Sequence, residues 1–285
     1  MKASTFLTNL GATDSTSLTS LGDAFVDAVR RGLILPIRWA AVTSKAGGHT
    51  AKIMVAQDAL QIGEPGDSFR VNASHTTEQQ MVDALGLTMP TSKLSDIIHE
   101  QAQVVLKPQL QPADATMGTV GAMLKHSRAV DAIRGSGGLA STVGKDWILS
   151  NHLGDRADIG VNYGFHDAAA PYVSPGGLHL WQQTGTRHDR WHVDYSQTVR
   201  PIHPSCVVDG INMNLWDVMA DPVLSELVSY EGPIRYSRHP DVPPPAGGVV
   251  VASPVSSAGS GMAGSLVAFA GLGVVGWMVA KAVMG

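Results

Sequence analysis

Histidine and aspartate crowd into one stretch of this 285-residue chain. Six of its eleven histidines lie between residues 152 and 203, interleaved with Asp155, Asp158, Asp167, Asp189 and Asp194. Imidazole exchanges a proton near neutral pH and is the commonest protein ligand for metals. A neighbouring carboxylate can fix its tautomer or share its metal. The tightest constellation is Arg187-His-Asp-Arg-Trp-His-Val-Asp-Tyr-Ser196. On a strand, His188, Arg190, His192, Asp194 and Ser196 would share a face, with Trp191 and Tyr195 packed inside. On a helix, His188 and His192 would still be neighbours at i, i+4. Either geometry suits acid–base pairing or binding of a divalent metal.

Two resemblances sharpen this. Ser150-Asn-His152-Leu-Gly-Asp-Arg-Ala-Asp158 resembles the S-x-H-x-x-G-x-A-x-D motif of zinc D,D-carboxypeptidases and L-Ala-D-Glu endopeptidases. Their E-x-W-H motif is similar to Asp189-Arg-Trp191-His192, with aspartate for glutamate. That likeness implies zinc held by His152, Asp158 and His192, with Asp189 as general base on the metal-bound water. The first motif is one residue short between its histidine and aspartate, and the likeness covers some fifteen residues.

The second resemblance spans most of the body. Gly144-Lys145-Asp146, Tyr163-Gly164-Phe165-His166, His188 and Asp194-Tyr195-Ser196 are similar to a family of bacterial and phage-encoded proteins without assigned activity. These carry YG(W/F)H and H-x5-D-Y-S elements, and Leu94–Gln103 after Pro90-Thr91 also fits. That likeness points to His166, His188, Asp194 and Ser196. His166 and His188 would be base and acid, or ligands of one metal, and Asp194 would orient an imidazole or join the ligand set. Ser196 would be a donor or a nucleophile, although no G-x-S-x-G elbow surrounds it. Lys145 could stabilise a developing negative charge. Taken together, the residue spacing and the two resemblances make His188, His192, Asp194, His152 and Asp158 the metal candidates, His152 and Asp158 through the peptidase likeness alone.

The elements that must position these groups read as α+β: an N-terminal helical part, then a mainly antiparallel sheet, then a single apolar C-terminal helix. Hydrophobic periodicity predicts a helix over Leu18–Arg31 and strands over Ile37–Thr43 and Ala51–Gln57 around Gly47-Gly48. Further helices are expected at Thr77–Leu85, Ser92–Val104 and Val120–Ile133. From Trp147 onward short apolar runs between glycines predict strands, including W-I-L, I-G-V-N-Y, L-H-L-W, V-D-Y-S and C-V-V. Helices at Ile211–Met219 and Val223–Ser229 close the body. His99, His126, His49 and His75 read as face, loop or capping residues.

The organisation expected is a globular body over 1–238, a Pro/Gly/Ser-rich linker over 239–260 and a transmembrane helix over 261–285. Gly261 to Ala280 carries no ionisable side chain, and about 20 helical residues span roughly 30 Å of hydrocarbon. Trp277 and Lys281 would be interfacial anchors. Gly276 and Ala280 give a small-xxx-small face through which copies could associate. The N-terminus lacks the apolar core of a cleavable signal peptide.

Hydrophobic residues make up 44%, charged ones 15%, and the net charge is -4 with no basic block, which argues against nucleic acid as partner. The lone Cys206 excludes an internal disulfide and reads as a small buried residue. The functional expectation is a membrane-tethered His/Asp hydrolase, with zinc or another divalent ion as cofactor and cell-wall amide bonds as substrate. The rival is a non-catalytic structural or interaction protein of a virion or membrane assembly.

Overall fold

Glycine turns and hydroxyl caps punctuate the fold. A computed structural model describes residues 1–156 and 158–245. Helix α1 (Ala3–Asn9) buries Ala3, Phe6 and Leu7. Helix α2 (Gly22–Arg30) follows a 3-10 turn over Leu18–Leu21 and buries Phe25, Val26, Ala28 and Val29. The helix expected over Leu18–Arg31 is therefore split. A Cβ on Gly22, where the two parts join, would stand only 2.8 Å from Thr77 Oγ1.

Strands β1 (Trp39–Ala46) and β2 (His49–Ala56) pair antiparallel around Gly47 and Gly48, at φ +57° and +84°. This two-residue turn matches the right-handed twist of the strands. A second hairpin, β3 (Gln61–Glu64) with β4 (Asp67–Arg70), turns at Pro65-Gly66. Helices α3 (His75–Ala84) and α4 (Ser92–Gln101) are capped by Ser74 and Thr91, whose hydroxyls accept from Thr77 N and Leu94 N. After the short β5 (Val104–Val105), helix α5 (Val120–Arg134) is capped by Thr119 and stopped by Gly135 at φ +64°. Strand β6 (Ala140–Ser141) then pairs with β5 in parallel.

Strands β7 (Lys145–Trp147), β8 (Asn162–His166), β9 (Tyr172–Val173) and β10 (His179–Gly185) form an antiparallel sheet in the order β7-β8-β10-β9. Strands β11 (Ile202–Val208) and β12 (Ile211–Asn214) join the first hairpin in the order β1-β2-β11-β12. Helix α6 (Leu215–Ala220) follows. The protein is α+β with mainly antiparallel sheets. Helices and strands are less segregated than expected, because residues 39–56 supply half of the second sheet.

Two expectations fail for local reasons. Ile211–Asn214 is a strand rather than the start of a helix, since Asp209 and Gly210 at φ +50° and +86° turn the chain back on β11. Asn214 then caps α6 by accepting from Trp216 N. V-D-Y-S is a turn rather than a strand, because Asp194 binds the backbone of Ser196.

One large core draws on residues from Ala3 to Ile234, and within it the Phe25 and Phe69 rings lie 5.9 Å apart. Each fully buried large apolar side chain contributes roughly 1.5–3 kcal/mol. Cys206 is buried on β11, and burial pushes its thiol up to about 11. The body does not stop at residue 238. His239 and Val242 are buried, and His239 N donates to Gln79 Oε1 at 3.0 Å. Residues 246–260 of the expected linker and the expected membrane helix lie outside the described residues. Among the described residues, no helix is long and apolar enough to cross a membrane.

Candidate functional site

The absence of a side chain at Gly144 sets up the site. A Cβ there would lie 2.2 Å from Thr198 Oγ1 and 2.8 Å from the Ser196 carbonyl. The bare backbone lets residues 196–198 lie along β7, where Lys145 N donates to Ser196 O at 2.6 Å and Thr198 N to Lys145 O at 3.1 Å. The preceding turn is tied internally. Asp194 Oδ1 accepts from Ser196 N at 2.7 Å and from Ser196 Oγ at 2.5 Å, and Asp194 N donates to Gln197 Oε1 at 2.6 Å. Ser196 is thereby a donor to Asp194.

The turn aims the other carboxylate oxygen at a pair of imidazoles. His192 Nε2 lies 3.5 Å from Asp194 Oδ2, an ion-pair distance longer than a good hydrogen bond. The His188 and His192 rings stack with centroids 3.8 Å apart and 8° between planes. Residues 188–192 form a turn, so the pair meets by the helical i, i+4 spacing and not on a strand face. Asp189, exposed, accepts from Trp191 N at 2.9 Å and holds this turn together. Gly160 N donates to His188 O at 3.0 Å, anchoring the turn to the chain before β8.

The charges here have definite consequences. Burial would raise the Asp194 carboxyl, but the His192 contact, the Lys145 ammonium and the Ser196 hydroxyl outweigh it and hold it at about 2. His188 is shifted down, first by burial and then by the His192 ring and Lys145, despite an opposing pull from Asp194. Two stacked imidazoles do not readily both carry charge. The pair has the Asp194 carboxylate behind it and the Lys145 ammonium nearby. Lys145 Nζ also stands 5.6 Å from the Phe165 ring centre.

His166 belongs elsewhere. Its Nε2 is 2.8 Å from Asp96 Oδ1, which also accepts from Tyr163 Oη at 2.8 Å, while Asp96 Oδ2 accepts from Tyr230 Oη at 2.9 Å. The His99 ring stacks on His166 at 4.5 Å, and burial together with His166 draws it down to about 4. Tyr163 and His166 both reach Asp96 because Gly164 and Phe165, at φ +115° and +57°, break the alternation of β8. Phe165 thus faces Lys145 while His166 faces Asp96. Thr142, at φ +58°, braces the bend, its hydroxyl donating to His166 O at 3.4 Å. Positive φ at a β-branched or aromatic residue is uncommon and gathers at functional sites.

The structure thus brings together Lys145, His188, His192, Asp194 and Ser196, and sets His166 in a second cluster with Asp96 and His99. His152 pairs with Asp155 at 2.7 Å and Asp158 with Arg156 at 3.3 Å, all four exposed. The zinc ligands implied by the peptidase resemblance do not fit, since two of the three side chains are engaged in these separate surface pairs. Among the described residues, no three His, Cys, Asp or Glu side chains gather as metal ligands would.

Sequence reasoning missed Asp96, His99, Tyr230 and His126. His126, read as part of a polar helix turn, is buried beside Tyr195 and Phe165 with both ring nitrogens unpartnered. The Leu94–Gln103 stretch after Pro90-Thr91, part of the second resemblance, held the signal for Asp96. Tyr230 and His126 had none. Comparison with family models, curated proteins and solved structures returned no match.

Proposed function

We propose that this chain is a His/Asp-dependent hydrolase of amide bonds, acting on acidic peptides such as those of the cell envelope and held at a membrane by its C-terminal apolar segment. The observation that carries this reading is the stacked His188–His192 pair with Asp194 behind it. His188, shifted towards its neutral form, accepts a proton from water as the water oxygen bonds to the amide carbonyl carbon. The carbonyl oxygen takes up negative charge within the field of Lys145. His192, beside the Asp194 carboxylate, passes a proton to the departing nitrogen as the C–N bond breaks. A proton moving from His188 to His192 restores the pair. Lys145 and the exposed Arg187 favour a substrate bearing carboxylates.

The test is cleavage of purified muropeptides by the full chain and by His188→Ala. The reading expects release of new amino groups by the wild type and a drop of about 10²-fold or more in the variant. Equal rates, or no cleavage by either, would sink it. Activity lost on chelation would return the metal-assisted reading.

A second reading, a non-catalytic interaction protein, is favoured by the apolar edge at Tyr172, Val173 and Trp181, exposed by 44%, 57% and 39%. Such edges attract partners. An inactive chain whose assembly state changes with Trp181→Ala would support it.

A further inference from the structure

A cavity of about 480 Å³ opens on another part of the body, between the residues preceding β1, the β2–β3 connection and the glycine loop after α5. Its size falls within the range of small-molecule sites. Leu35, Ile37, Ala59, Pro65 and Pro201 give it apolar walls.

Its charges are arranged unequally. On the floor, the buried Arg70 guanidinium grips Asp58 in a two-pronged contact, both bonds 2.9 Å, and reaches Asp131 at 2.6 Å. Arg134 donates to the same Asp58. These two cations and two anions neutralise one another. Arg38, exposed on the wall, makes no ion pair with any described residue, so three guanidiniums face two carboxylates. All five Arg134 N–H donors are taken, by Asp58 and by the carbonyls of Gln57, Gly135, Gly137 and Gly138, which leaves Arg38 as the cation open to a ligand. No backbone N–H of Ser136 or Gly137 donates to a described residue, and both residues line the cavity.

We infer that this cavity binds a small amphipathic monoanion, a carboxylate carried on an apolar body. The apolar part would lie against the prolines and Ile37, and the carboxylate would meet Arg38 with help from the loop amides. A neutral molecule would leave Arg38 uncompensated, and a cation would add to the excess positive charge.

Isothermal titration of the full chain with phenylbutyrate, phenylbutanol and phenylbutylamine tests this. Phenylbutyrate is expected to bind about tenfold more tightly than the alcohol, as one charge-assisted contact provides, and the amine more weakly than either. Arg38→Ala, at an exposed position that leaves the fold intact, should abolish the preference for the anion. Ala59→Trp, or Pro65→Trp should the first variant unfold, should fill the cavity and remove binding. The inference fails if no probe binds, if acid and alcohol bind alike, or if binding survives a folded cavity-filling variant.

Discussion

His126 offers a quantitative test of the buried polar groups around the site. Both its ring nitrogens are buried without partners, and burial together with the nearby Arg70 lowers its proton affinity from 6.5 to about 4. The folded value is the depressed one. On acidification the unfolded chain therefore takes up a proton at this histidine first. The stability tied to His126 is fully present above 6.5 and is lost as pH falls towards 4. Between about pH 7.5 and 4.5 the loss comes to roughly 2 to 3 kcal/mol. His126→Leu, close in volume, removes the titration and the two orphan nitrogens. At neutral pH the variant should be as stable as the wild type or more so by about 1 kcal/mol. Its stability should fall with acid by roughly 2 to 3 kcal/mol less than that of the wild type. Urea unfolding followed by tryptophan fluorescence, at both pH values, measures the difference directly. Two parallel curves, equally steep in acid, would refute the reasoning, because the imidazole would then already be solvated or charged.

Two other outcomes follow from the same geometry. Asp96→Asn replaces the anion that accepts from His166, Tyr163 and Tyr230 and should destabilise the chain by about 3 kcal/mol, read from the urea midpoint. Gly144→Ala puts a methyl group onto Thr198 and should cost about 1–3 kcal/mol, while shifting the imidazole NMR signals of His188 and His192 as residues 194–198 move off β7.

What was legible in the sequence followed from local rules. Helices with a hydroxyl cap and a periodic apolar face, such as those after Thr91 and Thr119, were read to within a few residues because one turn decides each start. The strand ending at Val208 was likewise visible as an apolar run. The Asp209-Gly210 turn carries the strongest short-range hairpin signal, yet the apolar spacing from Ile211 to Met219 hid it. At the site, the meeting of His188 with His192 was legible because i, i+4 spacing needs only a helical turn. The separation of His166 from that pair was not, since it depends on positive φ at Phe165, a residue type that rarely adopts it. The partners of Asp96 come from residues 163, 166 and 230, joined only by long-range packing.

The bend at Gly164-Phe165 has a further consequence. One strained peptide segment is shared by two groups of side chains, each holding one of its ends. Relaxing Phe165 towards ordinary strand geometry would move its ring relative to Lys145 and the His166 imidazole relative to Asp96.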